Sequence, residues 1–206
     1  MKMIISPHVD DEVLGCGGIL DESTFVLHLG LSENQKHGNT SYTKEYRIKE
    51  FSLIKNETNL QSKLLNHPVN NYKESLLISD IEEAINCITP DEIYIPHPSY
   101  NQDHRAVYNA SLVALRPHDI NFFVPRVFVY EQPHVFLWDN GKKDFKPNYF
   151  KSIDIEKKID LYHMLQSQVR EFRSSDCIRS MAVMRGKQSN LQYAEAFEIL
   201  RWVDND

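Results

Sequence analysis

Met3-Ile4-Ile5-Ser6-Pro7-His8-Val9-Asp10-Asp11-Glu12-Val13-Leu14-Gly15-Cys16-Gly17-Gly18 is the stretch on which the fold of this 206-residue chain turns. Its apolar opening, Met3-Ile4-Ile5, reads as a buried strand, and Pro7 cannot continue a central ladder, so the strand is expected to stop there. Directly after it come a histidine and three carboxylates, His8, Asp10, Asp11 and Glu12. In α/β folds, ligands and catalytic groups gather in the crevice beyond the carboxyl ends of the strands. Like charges crowded there repel unless a cation compensates them, and a divalent metal is the simplest one. A helix N-terminus whose acids complement the dipole would account for Asp11 and Glu12 but leaves His8 unexplained.

Outward from that stretch, strand and helix signals alternate. Gly15 to Leu20 suits the start of a short helix whose small residues permit close packing on a sheet. Thr24-Phe25-Val26-Leu27-His28-Leu29 reads as a second strand ending at Gly30. Residues 31–41 read as a polar loop at the same end. Tyr46, Ile48, Phe51 and Ile54, with Arg47 and Glu50 interleaved, predict an amphipathic helix over 43–56. The stretch 57–78 reads as an irregular connection with one short strand. Ser79-Asp80-Ile81-Glu82 resembles a capping box opening a helix that ends before Pro90.

Glu92-Ile93-Tyr94-Ile95-Pro96 is the next strand. It too runs into a histidine loop, His97 to His104, with a helix over about 104–116 behind it. Residues 124–130 predict another strand, and Asp139-Asn140-Gly141-Lys142 a turn. Ile155, Ile159, Tyr162, Leu165, Val169 and Phe172 recur at helical spacing, with Asp154 as the expected N-cap. Helical pieces are expected at 176–185 and 191–200. The alternation argues a mainly parallel, three-layer α/β sheet. No repeat, low-complexity tract or linker divides the chain, so one domain, 1–206, is expected.

The composition is that of a soluble globular protein, 41% hydrophobic and 25% charged. A net charge of −6 argues against a broad phosphate-backbone footprint and hence against a nucleic-acid partner. The three cysteines, Cys16, Cys87 and Cys177, have no C-x-x-C spacing and imply free thiols in a reducing compartment. No apolar run approaches the roughly 20 residues of a membrane span. The expected location is the cytoplasm.

His8 and Asp11, three apart in a tight turn after a strand, can point to one side and share an ion. A third ligand must come from another strand end, and Asp103-His104 supplies the best candidates. Two histidines and a carboxylate with an open position describe a catalytic zinc site rather than a closed structural one. Asp10, beside a ligand but free, would then take a proton from the attacking water. Asp103 is equally suited to capping the following helix. His97 and His134 read as loop histidines, and Arg47 as part of a solvated helix face.

Pro7-His8-Val9-Asp10-Asp11-Glu12 followed by Val-Leu-Gly-Cys-Gly-Gly resembles the opening motif of the PIG-L/LmbE family of zinc-dependent de-N-acetylases. Asn101-Gln102-Asp103-His104-Arg105-Ala106-Val107 is similar to that family's second metal motif. Weaker echoes are Tyr130-Glu131-x-Pro133, Phe145 to Phe150, Gln166-Ser167-Gln168 and Tyr193 to Phe197, all in order along the chain. The resemblance implies a Rossmann-like fold with helices on both faces of the sheet. It implies zinc, or another divalent transition metal, held by His8, Asp11 and His104, with Asp10 as general base. It also implies removal of an acetyl group from a small N-acetylglucosaminyl-type conjugate.

Where the best-described members carry a histidine that acts as electrophile or acid, this chain has Asn101, which can donate a hydrogen bond but not deliver a proton. The acid is then either Asp10, returning the proton it took, or His134. Asn101, Asp103 and His134 join Asp10 as catalytic candidates, and Arg47 lies where the family often has a substrate-binding arginine. Two other readings stand beside this one. A nucleotide-binding module is suggested by Gly15-x-Gly17-Gly18, although G-x-G-x-x-G is absent and three carboxylates precede the glycines. A metal-binding pseudoenzyme is suggested by Asn101.

Overall fold

The strand that carries His8, β1 (Lys2–His8), lies inside a seven-stranded sheet. The computed structural model describes residues 1–31, 35–37, 40–138 and 145–204; the turn expected at Asp139–Lys142 lies outside them. The strands after β1 are β2 (Thr24–Gly30), β3 (Gln35–His37), β4 (Thr40–Tyr42), β5 (Gln61–Leu64), β6 (Glu92–Pro96), β7 (Arg126–Tyr130), β8 (Tyr149–Ser152) and β9 (Ala194–Trp202). The helices are α1 (Asp11–Cys16), α2 (Lys44–Thr58), α3 (Glu74–Ile88), α4 (Gln102–Ala114), α5 (Pro133–Leu137), α6 (Ile155–Met164) and α7 (Ser175–Gln188). The main sheet has the order β5-β2-β1-β6-β7-β9-β8. Its first five strands are parallel, whereas β9 runs antiparallel to both β7 and β8.

The pleat sends alternate residues into two cores. Ile4, Val26, Tyr94, Phe128 and Phe197 face Val13 and Leu14 of α1, Ile159 of α6 and Ile178 of α7. Met3, Ile5, Leu27, Ile93, Ile95 and Val129 face Leu77 and Ile81 of α3 and Val107 and Ala110 of α4. Burial on both faces makes the central strands continuous apolar runs, as buried parallel sheets require. The expected three-layer α/β fold is therefore present. Among the described residues no helix is long and apolar enough to cross a membrane, and Cys16, Cys87 and Cys177 are free thiols.

Several elements differ from expectation, each for a physical reason. Strand β1 runs through Pro7 because its pairing with β6 ends at Ile4↔Tyr94, and only β2 continues alongside, to His8↔Gly30. The first helix begins at Asp11, and the glycines behind it form a 3-10 turn, Gly17–Ile19. Residues in the expected polar loop pair as the antiparallel ribbon β3–β4. Helix α3 starts five residues before Ser79, so the supposed capping box lies inside it. Helix α4 starts at Gln102, capped by Asn101, whose side chain accepts from the Asp103 N–H at 2.9 Å.

The periodic run from Ile155 stays α-helical only to Met164 and then tightens into the 3-10 turns Gln166–Gln168 and Glu171–Arg173. The largest correction is at the C-terminal end of the chain: residues 194–202 form strand β9, not a helix. Ala, Glu and Leu favour helix there, but two open strand edges, β7 and β8, receive the segment on both sides.

Candidate metal centre

Strand β1 delivers His8 at its carboxyl end, and α1 begins three residues later. Between them Asp10 adopts φ 152° and ψ −25°, a region that L residues seldom occupy. The turn is braced from several sides. Glu12, fully buried, accepts hydrogen bonds from the Asp10 N–H at 3.1 Å and the Ser6 hydroxyl at 3.0 Å, and lies 3.1 Å from His28 Nε2. Arg47 of α2 donates to the Val9 carbonyl at 2.7 Å. The third carboxylate of the motif is thus a brace rather than a ligand.

His8, Asp11 and His104 each offer a ligand atom, and these lie within 4.8 Å of one another. Asp11 Oδ2 is 3.2 Å from His8 Nδ1 and 3.3 Å from His104 Nε2. The opposite atoms are engaged from behind. Asp103 Oδ2 is 2.9 Å from His8 Nε2 and also accepts the Asn70 N–H at 2.7 Å. Asp11 Oδ1 accepts from Gln132 Nε2 at 2.7 Å. Outer hydrogen bonds of this kind fix the tautomer and orientation of metal-ligating groups. Two imidazoles and one carboxylate, all buried or nearly so, fit a divalent transition metal with positions left open.

The electrostatics of the same residues call for positive charge. Burial alone would lower the His8 imidazole, but hydrogen bonds to Asp103 and Asp11 reverse this and push it up to about 10. Burial works against ionisation of Asp11, yet the neighbouring His104 and His8 hold its carboxyl well below the usual range. Asp10 behaves oppositely: burial, and then the charge of Asp11, raise it. Two adjacent carboxylates are driven apart by their surroundings, the pattern that separates a base from a ligand.

His134 opens α5 with its ring 5.0 Å from that of His104 and 5.4 Å from that of Tyr100. Burial, reinforced by His104, lowers it to about 3, so it stands neutral. Its Nε2 is buried with no partner among the described residues.

Of the residues singled out from sequence, His8, Asp10, Asp11, His104 and His134 come together. Asp103 lies behind His8, at one remove from the open side of the centre. Asn101 is the α4 cap, its side-chain oxygen committed to the Asp103 N–H. Arg47 is not on a solvated face; it is 1% exposed and turned toward the Val9 backbone. Helix α2 buries Phe51 and Ile54 as expected, but Arg47 and Glu50 go inside with them while Tyr46 and Ile48 are 41% exposed.

Sequence reading missed Gln132, Asn70 and Arg173. Gln132 lay within a segment already marked by Tyr130-Glu131-x-Pro133. Asn70 acts through its backbone at a positive φ of 67°. Arg173, which reaches Asp10 Oδ2 at 3.2 Å, has no local signature at all.

Solved structures share this architecture. The conserved protein TT1542 from Thermus thermophilus superposes with a TM-score of 0.78 at 21% identity, covering 100% of this chain and 96% of its own. The N,N'-diacetylchitobiose deacetylase from Pyrococcus horikoshii gives 0.77 at 18% identity, covering 97% of this chain and 83% of its own. GalB, the 4-carboxy-2-hydroxymuconate hydratase from Pseudomonas putida KT2440, gives 0.72 at 18%, each chain covered completely. At such identities the likeness establishes the fold, which here carries more than one chemistry. No curated protein matches the sequence. Residues 3–115, just over half of the chain and including His8, Asp11 and His104, match the PIG-L family, GlcNAc-PI de-N-acetylase, and the chain belongs to that family.

Proposed function

We propose that the protein is a zinc-dependent amidohydrolase that removes an N-acetyl group from a small amino-sugar conjugate. The observation that carries this reading is the convergence of His8, Asp11 and His104 beside Asp10, in a chain of a de-N-acetylase family. The fold likeness to a hydratase does not favour hydration here, because the family match covers both metal motifs.

His8, Asp11 and His104 would hold the ion. Once bound, a divalent metal there supplies Lewis acidity, lowering the pKa of water and polarising the amide carbonyl. Asp10 takes the proton from the attacking water as its oxygen bonds to the carbonyl carbon. The C–N bond then breaks, acetate leaves with the new C–O bond, and the amine departs with the proton that Asp10 received. His134, neutral, with its ring 5.0 Å from that of His104 and a buried Nε2 that has no partner among the described residues, would hydrogen-bond the carbonyl oxygen as negative charge develops there. Because burial keeps that imidazole neutral, the proton for the amine comes from Asp10 rather than from His134. Asn101 serves this arrangement by capping α4 and so fixing where His104 begins its helix. Arg47 contributes the walls of the Asp10 turn. The free thiols support assignment to the reducing cytoplasm.

Metal analysis of untagged protein, paired with a screen for acetate released from N-acetylated sugars, tests the reading. About one zinc per chain is expected by elemental analysis. Asp10→Asn keeps that zinc while reducing turnover by about 100-fold or more, since it removes a base and no ligand. His104→Ala loses the zinc. Metal loss in Asp10→Asn would make Asp10 a ligand and overturn the assignment; zinc without acetate release from any sugar would leave only a metal-binding protein.

A further inference from the structure

We propose that Arg173 is a positioning residue for this reaction: its guanidinium grips Oδ2 of Asp10 and leaves Oδ1 for the attacking water. The proposal rests on the reading of Asp10 as the base, and it concerns a residue well outside the segment that matches the family.

Asp10 needs such a grip. A residue at an N-cap ordinarily has its carboxylate fixed by the first N–H groups of the helix, but Asp10 makes no side-chain cap hydrogen bond and sits at φ 152°. Among the described residues its carboxylate receives one side-chain hydrogen bond, from Arg173 Nη2 at 3.2 Å. Without that bond the carboxylate would have only the attraction of Arg47 and His8 to set against the repulsion of Asp11, and no hydrogen bond from a side chain to fix which oxygen faces the reaction. A base that turns away from the reacting oxygen by about 1 Å costs on the order of 100-fold in rate.

Arg173 is itself held in place. Its Nη2 also donates to the Gln168 carbonyl at 2.9 Å and to the Gln168 side-chain oxygen at 3.2 Å. Gln168 follows Ser167, whose N–H and hydroxyl both donate to Glu50 of α2, at 2.7 and 2.5 Å. Arg170 Nη1 ties the carbonyls of Ser167 and Val169, at 2.7 and 2.9 Å, so the two 3-10 turns form one fastened loop. A buried line of hydrogen bonds thus runs from Glu50 through Ser167, Gln168 and Arg173 to Asp10. It explains why α2 buries a glutamate: Glu50 anchors the loop that presents the guanidinium.

The experiment uses the zinc-loaded full chain and the variants Arg173→Gln, Arg173→Lys, Asp10→Asn and the double variant Asp10→Asn/Arg173→Gln. Acetate release from N,N'-diacetylchitobiose and N-acetylglucosamine gives kcat and KM; elemental analysis gives zinc content. Arg173→Gln is expected to lower kcat by about 100-fold with KM changed less than about threefold and zinc unchanged. Arg173→Lys, which keeps the charge and one donor, recovers about tenfold of that loss. In the Asp10→Asn background Arg173→Gln changes the residual rate by less than about twofold, because no base remains for the clamp to orient.

A full loss in that background, a KM rise with kcat intact, or departure of zinc overturns the proposal. If the wild-type protein releases no acetate, the deacetylase reading fails by itself. The clamp is then read from calorimetric binding of acetohydroxamate, which needs a base but no turnover. Its affinity falls equally in Arg173→Gln and Asp10→Asn if the clamp exists, and undiminished affinity in Arg173→Gln overturns it.

Discussion

His8 meets carboxylates at both ring nitrogens, Asp11 Oδ2 at 3.2 Å and Asp103 Oδ2 at 2.9 Å, and the two have different tasks. Asp11 belongs to the cluster that could hold a cation, while Asp103 stands behind the imidazole and is itself fixed by the Asn70 N–H. Asp103→Asn keeps the size of the side chain but ends the charge that directs the His8 proton to Nε2. Zinc affinity should fall by about 10–100-fold, read by competition with a chromophoric chelator, while the melting temperature of the metal-free protein changes little. An affinity equal to wild type would reduce Asp103 to a helix-terminus acid. At this scale, what sequence reading could see were residues sharing a short motif. His8, Asp10 and Asp11 fall in four consecutive positions, and Asp103-His104 are adjacent. Gln132 and Arg173 reach the same place from 121 and 163 residues away, and no spacing rule reports that.

Elements position these residues by how closely they pack. Helix α1 is buried along its whole length, and it can lie so near the sheet because Gly15 has no side chain where the ring of Tyr130 passes. Tyr130 cannot yield, since its hydroxyl donates to the Ile5 carbonyl at 2.9 Å and the ring is fully buried. At the far end of α1, Lys158 Nζ donates to the Leu14 carbonyl at 2.8 Å and to Glu195 at 2.6 Å, while Gly18 N–H donates to Glu195 at 2.9 Å. Gly15→Ala therefore forces α1 outward.

A destabilisation of about 1–3 kcal/mol by denaturant titration is expected, together with weaker zinc binding, because Asp11 moves with its helix. Unchanged zinc affinity would show that the turn at Asp10 is positioned independently of α1. The small-residue run was readable as a place of close approach, and β2, β6 and α6 were readable from period and caps. The buried charges of α2 and the extended state of β9 escape a reading by period and propensity for one reason: their residues answer to tertiary partners. Arg47 and Glu50 are buried because Val9 and Ser167 receive them, and Ala194–Trp202 is extended because two strands need a neighbour.

For the molecule as a whole, the candidate metal centre joins distant parts of the chain. The residues that could hold an ion come from β1, α1 and α4, and the groups around them from β7–α5 and the loop before α7. A ligand bound only to the native state stabilises it by an amount set by its concentration over Kd. Zinc at 100 times its Kd should therefore raise the unfolding free energy by about 2.7 kcal/mol, reversed by a chelator and absent in Asp11→Ala. A melting temperature indifferent to zinc in the wild type would argue against a preformed centre.

The antiparallel insertion of β9 has a consequence for biosynthesis. Until residues 194–202 emerge, β7 has no neighbour on one side, and its sequence, Arg126-Val127-Phe128-Val129-Tyr130, is an apolar strand with a free edge. Such edges template pairing between chains. A nascent or truncated chain ending after Gln188 should thus self-associate through β7, and expression at low temperature or with a chaperone should matter more for this protein than its native surface suggests.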